Sequence, residues 1–188
     1  MSFLSHIECS VCRCTHDPKR LLTVCEKCGQ MLAARYHLDR VAGAVTQAEL
    51  QRRPPGMYRF RELTPLDDGE EPVSLGEGGT PLLKLPRLGS YLGLRHLLAK
   101  DEGQNPTGSF KARGLSIAVT RARTLGARGL IIPSAGNAGG AAAAYGARAG
   151  LPVAVVVPRD SPEAAVAEAL LAGAHVFTIE GSIAAAGQ

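Results

Sequence analysis

The sequence predicts an incomplete α/β domain on a doubly wound, mostly parallel sheet, preceded by a small module organised by cysteines. Three observations predict it. From His96 onward, short apolar runs alternate with helical patterns, the order expected when each strand returns through a helix. One such run, Val153 to Val157, is unbroken aliphatic, as strands are when helices cover both faces of their sheet. All five cysteines lie within residues 1–40, whereas Gly, Ala and Val dominate from Val73. The chain therefore divides into a cysteine module at 1–40, a connector at 41–72 and a partial α/β domain at 73–188.

In the first module, Cys9 and Cys12 form one Cys-x-x-Cys pair and Cys25 and Cys28 a second, with 12 residues between the pairs. Two such knuckles can face each other and enclose one ion tetrahedrally. Zinc prefers sulfur ligands and that geometry, and a four-cysteine shell leaves no open position for catalysis, so a structural zinc-ribbon-like site is expected. Cys14 and His16 stand nearby as bystanders or exchange partners. An odd cysteine count disfavours a disulfide framework. In the connector, Val41 to Arg53 predicts a short helix that Pro54-Pro55 ends, because proline lacks the amide hydrogen and clashes with the preceding turn. Nothing catalytic stands out there.

The later region predicts strands at His96 to Lys100, Leu130 to Pro133, Val153 to Pro158 and His175 to Ile179. Helices are predicted at Ser109 to Leu125, Asn137 to Ala149 and Ser161 to Ala172. Ligands of such sheets sit beyond the carboxyl ends of strands, which draws attention to the loops Asp101 to Gly108 and Ser134 to Gly136. The first leads into a helix with Ser109 as the expected N-cap and Lys111 in the first turn. Lys111 and Arg113 both oppose the positive end of the helix dipole there, a local conflict of the kind found at functional sites. The same field favours a neutral amine able to attack a carbonyl and form a Schiff base. A phosphate-binding P-loop is excluded, since Ser109 occupies the place of that motif's lysine.

The second loop, Ser134-Ala-Gly-Asn-Ala-Gly-Gly140, opens an alanine-rich helix whose free amides suit an anion. Its glycine spacing does not match a dinucleotide fingerprint. Gly139, Gly140 and Ala141 to Ala144 read as close helix-strand packing.

Asn105-Pro-Thr-Gly-Ser-Phe-Lys111 closely resembles the cofactor-lysine motif of the fold-type II pyridoxal-phosphate enzymes, relatives of the tryptophan synthase β chain. The resemblance implies that Lys111 holds pyridoxal 5'-phosphate as a Schiff base and then moves protons at the substrate's α and neighbouring carbons. It implies that Asn137 bonds the cofactor ring oxygen. Ser134, Ala135, Gly136 and Ala138 would cradle the substrate carboxylate. Leu75-Gly-Glu-Gly-Gly-Thr-Pro-Leu82 resembles the opening segment of the threonine synthases, and a cysteine module in front also occurs among them. That family converts O-phosphohomoserine and water to threonine and phosphate. Ala112 stands where these enzymes usually carry Asp, and Gly79 where they carry Asn. Threonine or serine ammonia-lyases, which tolerate apolar residues beside the lysine, are therefore the nearest alternative, and an inactive zinc-ribbon binding module is a second. Such enzymes are longer than this chain, so a fragment is expected that binds the cofactor weakly by itself.

With 188 residues, 45% of them hydrophobic, the composition is that of a globular protein. No run approaches the roughly 18 apolar residues of a membrane span, and a cytoplasmic location is expected. Residues 1–61 hold 10 basic and 5 acidic side chains. So modest an excess reads as a solvated face, not a nucleic-acid surface. The expected partner is a small amino-acid substrate, and a homo-oligomer is compatible with the full-length protein.

Overall fold

The computed structural model describes residues 2–187. At the N-terminus, β1 (Leu4–Cys9), β2 (Thr15–His16) and β3 (Leu32–Tyr36) form an antiparallel sheet in the order β2-β1-β3. Cys9 ends β1 and Cys12 lies in the turn after it, while Cys25 and Cys28 lie between β2 and β3.

The region expected as one helix forms two, α1 (Leu38–Ala44) and α2 (Gln47–Arg52). The chain is extended at Val45, and Thr46 starts α2 afresh with a capping box: its hydroxyl accepts the Glu49 amide while the Glu49 carboxylate accepts the Thr46 amide. Two amides that a helix start leaves unpaired are thereby satisfied. A 3-10 segment, Met57–Leu63, follows Pro54-Pro55.

Next come β4 (Leu82–Lys84), α3 (Pro86–Tyr91) and β5 (Leu98–Lys100). The run at His96 to Lys100, expected in the parallel sheet, instead pairs antiparallel with β4, Leu82 opposite Lys100. Gly93, with φ +68, reverses the chain after α3, and a reversal so close to β4 brings β5 back alongside it in the opposite direction.

The rest follows the expected alternation: α4 (Lys111–Thr124), β6 (Leu130–Pro133), α5 (Asn137–Ala149), β7 (Val153–Pro158), α6 (Glu163–Leu171), β8 (His175–Ile179) and α7 (Ile183–Ala186). The strands β6, β7 and β8 are parallel and adjacent in sequence order. Helix α5 packs between α4 and α6 and lies on β6 and β7. Val153, Val155 and Val157 point inward with Ala142, Ala143 and Ala169. The small residues are needed for this approach. A Cβ on Gly146 would overlap the Val153 side chain, and one on Gly139 would come within 2.9 Å of Val155 Cγ1. Ile131 and Phe177 remain exposed on their strands, so the covering of both sheet faces expected from the aliphatic run is not complete among the described residues.

The buried side of α4 carries two hydroxyls, Ser116 and Thr120, among Ala112, Val119 and Ala122. Val73 donates its amide to Thr120 Oγ1 at 2.8 Å, and Ser116 Oγ donates to the Val73 carbonyl at 2.8 Å. These side chains satisfy backbone groups that no strand partner reaches. Among the described residues, no helix is long and apolar enough to cross a membrane.

Candidate functional site

The loop before α4 is fixed by its own polar side chains. Asn105 is buried, accepts the Gly78 amide at 3.1 Å and donates to the Glu102 carbonyl at 2.8 Å. Gly108, at φ +64, makes the turn that aims the chain into the helix. The cap lies one residue later than expected, at Phe110, although Ser109 Oγ still accepts the Lys111 amide at 3.3 Å.

Lys111 and Arg113 share a helical turn but differ in their partners. Arg113 is clasped by Glu102, with Nε and Nη2 2.6 and 2.7 Å from its two oxygens, and reaches Thr80. That guanidinium, helped by Thr80 and Asn105, holds the Glu102 carboxyl down at about 2. Arg113 is thus explained by an ion pair, and its conflict with the helix dipole carries no separate functional meaning. Lys111 has no such explanation. Half buried, its Nζ lies 4.7 Å from the Phe110 ring centroid and makes no hydrogen bond or ion pair among the described residues. A primary amine so placed, without a hydrogen-bonding or charged partner, can attack a carbonyl in its deprotonated form. Four residues before it, the buried Thr107 hydroxyl also has no partner.

Asn137 to Gly140 make the first turn of α5, and Ser134 to Gly136 form the loop between β6 and that helix. Its serine hydroxyl is turned inward: it accepts the Gly139 amide at 2.9 Å and donates to the Gly136 carbonyl at 3.2 Å. The loop is held open by that arrangement, and the amides of Ala135, Asn137 and Ala138 have no acceptor among the described residues. Partial positive charge at the start of this 13-residue helix gives them the polarity that suits an anion. Asn137 is exposed, with its side chain uncommitted. Lys111 and Asn137 open two helices packed on each other, while among the described residues no hydrogen bond joins the two loops.

One charged residue escapes a reading by motif. Glu77 is 1% exposed. Its Oε2 accepts from Tyr145 Oη at 2.6 Å, the Leu75 amide at 3.0 Å and Ser74 Oγ at 3.2 Å, while Oε1 is buried without a partner. Burial and the Glu77 carboxylate push the Tyr145 phenol well up. Glu77 ties the glycine-rich opening segment to α5, and its own carbonyl takes the Met57 amide at 3.0 Å. The available sequence signal was a carboxylate set among three glycines.

In the cysteine module, the Sγ atoms of Cys9, Cys12, Cys25 and Cys28 all lie within 4.8 Å of one another. Cys9 is 3.4 Å from Cys28, and Cys12 is 3.6 Å from Cys25. A tetrahedron with metal–sulfur bonds of about 2.3 Å has edges of about 3.8 Å, close to these two separations, so the cluster suits a zinc ion. The two knuckles repeat one backbone design. Cys9 and Cys25 each accept, at their carbonyls, the amide of the residue four places on, Arg13 or Gly29, and both of those residues have positive φ. Burial pushes the Cys25 thiol up, but the Lys27 and Cys28 amides, with His16 and Cys12, bring it down to about 6. For Cys12, the Cys14 amide pulls the other way, yet burial and the neighbouring thiols carry it to about 12. Four sulfurs so close cannot all ionise unless a cation joins them. Cys14 stands outside the cluster.

Comparison with known proteins places these features in context. A sequence-family profile described as "Pyridoxal-phosphate dependent enzyme" matches residues 73–188. Threonine synthase from Methanosarcina acetivorans is 37% identical over 178 residues, covering 94% of this chain and 43% of the relative. Threonine synthase from Methanocaldococcus jannaschii is 38% identical over 175 residues, covering 93% of this chain and 43% of the relative. Among solved structures, a pyridoxal 5'-phosphate-dependent aspartate racemase superposes with a TM-score of 0.51 at 35% identity, covering 54% of this chain and 32% of the other. The chain spans less than half the length of the curated relatives it matches.

Proposed function

We propose that this chain, which belongs to the pyridoxal-phosphate-dependent enzyme family and has its α/β fold, is the lysine-bearing part of a threonine synthase that converts O-phosphohomoserine and water to L-threonine and phosphate. The observation that carries the reading is Lys111: an amine with no hydrogen bond or ion pair among the described residues, at the start of α4, in the motif Asn105 to Lys111. Similarity to two archaeal threonine synthases over more than nine-tenths of the chain supports the substrate.

Pyridoxal phosphate, when bound, supplies an aldehyde for an amine and a ring that withdraws electrons from the α carbon. Lys111 Nζ would hold that aldehyde, give it up to the substrate amine, and then take and return protons at the α and neighbouring carbons. Asn137 would donate to the ring oxygen. The amides of Ala135, Asn137 and Ala138 would bind the substrate carboxylate, with Ser134 and Gly136 shaping the loop that presents them. Cys9, Cys12, Cys25 and Cys28 would hold one structural Zn2+, and the division at residues 40 and 72 belongs to the same reading. The cytoplasm is its proposed location.

Two substitutions favour a second reading, an ammonia-lyase acting on threonine or serine: Ala112 beside the lysine and Gly79 before Thr80. The full-length protein should release phosphate from O-phosphohomoserine. Ammonia from threonine, without phosphate from O-phosphohomoserine, would reverse the order of the two. Borohydride should fix the cofactor on Lys111, and label on another lysine would refute the assignment. Cys25→Ala should lose the zinc found in the wild type; unchanged metal content would count against the four-cysteine site.

A further inference from the structure

The two cysteine knuckles are alike in backbone but not in surroundings. Against the second stands His16, at the end of β2, held in register by pairing with Ile7. Its side chain is only 5% exposed. Nδ1 faces Glu26 Oε2 at 3.6 Å, and Glu26 is itself gripped by Arg20 through two bonds of 2.9 and 2.6 Å. On the other side of the ring, Nε2 is buried and finds no hydrogen-bond partner. A buried imidazole nitrogen left unpaired costs free energy that a fold does not normally leave uncompensated. Glu26 directly follows Cys25 in the chain, so the ring lies against the second knuckle, and His16 is among the influences that lower the Cys25 thiol. His16 is not one of the four clustered ligands.

We propose that His16 is the positioning residue of the metal centre, with its Nε2–H donated to the Cys25 thiolate and its ring oriented by the Arg20-held Glu26. The inference rests on the four-cysteine zinc reading above and extends it by one shell. A thiolate ligand shares excess negative charge with the metal. A hydrogen bond to sulfur stabilises that charge, holds the ligand in place and keeps water from displacing it. Removing such partners typically costs 10–100-fold in metal affinity. Each knuckle's first sulfur also takes two backbone amides, Val11 and Cys12 at Cys9 and Lys27 and Cys28 at Cys25, so the imidazole is an additional donor at the second knuckle.

The test uses the full-length protein loaded with zinc, and separately with Co2+ as a spectroscopic substitute. Zinc transfer to a chromophoric chelator should be about 10-fold faster from His16→Ala than from wild type. Its sulfur-to-cobalt charge-transfer band should move to longer wavelength, a change that loss of packing alone does not produce. His16→Gln, which can still donate to sulfur, should restore most of both. Glu26→Gln, which leaves the histidine in place but loosens its orientation, should give an intermediate rate and keeps the test decisive if His16→Ala fails to fold. Release within twofold of wild type in both His16→Ala and Glu26→Gln, with an unmoved band, would overturn the role of His16 while leaving the zinc site standing. Wild-type protein that takes up no zinc would overturn the four-cysteine reading and this inference with it.

Discussion

Lys111 and Arg113 sit two residues apart, and what separates their roles is the carboxylate of Glu102, which reaches only one of them. The Glu102 carboxyl lies at about 2 instead of 4.5, chiefly because of that guanidinium. A depressed carboxyl stabilises the fold above its unfolded value, and the contribution is lost as pH falls through the folded one. The native protein should therefore lose this contribution between about pH 4.5 and pH 2. Arg113→Gln should flatten that part of the Tm-versus-pH curve and cost about 1 kcal/mol at neutral pH, a modest figure because both side chains are partly solvated. An acid limb as steep as that of the wild type would show that the clasp does not set the Glu102 carboxyl. Glu77 is the contrasting residue: it is buried against a tyrosine and not against a cation, and it fastens the opening segment to α5.

Helix α5 owes its place to what its residues lack. The glycines and alanines along one side let it lie on β7, and at Gly146 there is no room for a methyl group beside Val153. Gly146→Ala should destabilise the protein by about 1–3 kcal/mol through overpacking. Gly114 in α4 has open space around its Cβ position, and there the usual helix preference for alanine should prevail, a gain of about 0.5–1 kcal/mol. Urea unfolding of the two variants checks both signs; equal effects would mean that propensity, not approach distance, governs these helices. The bounds of α5, β6, β7 and β8 are legible in the sequence because aliphatic runs and capping signals lie within each segment. The break between α1 and α2 is also locally written, in Thr46-x-x-Glu49, where a capping box outweighs the continuous pattern around it.

Across the whole molecule, one side chain joins three parts. Arg121 of α4 donates to the Pro18 carbonyl at 3.0 Å in the cysteine module and to Asp67 and Glu70 in the connector, at 3.3 and 3.2 Å. Its own side chain is 12% exposed and that of Glu70 7%, so the Glu70 pair lies largely out of water and counts for more than a surface pair, whereas Asp67 is exposed. Beside it, burial pushes the Tyr36 phenol up to about 12 against the opposing pull of Arg121. Arg121→Ala should cost about 1–3 kcal/mol, and it should raise the rate of proteolysis within residues 1–40 more than within α5. Uniformly faster cleavage would mean that the arginine stabilises the whole fold and does not specifically hold the module.

The sequence by itself determined the α/β class, the bounds of the parallel strands, the pairing of cysteines into two knuckles and the unusual position of Lys111. Each of these is written in periodicity, capping or spacing over a few consecutive residues. Only the tertiary structure decided that Arg113 is neutralised by Glu102, that Glu77 is buried, that Leu98–Lys100 runs antiparallel to Leu82–Lys84, and that Arg121 links module, connector and helix. The reason is physical: each case depends on a partner 11 to 103 residues away. A charge or a strand gives no local sign of which distant group will meet it once the chain has closed.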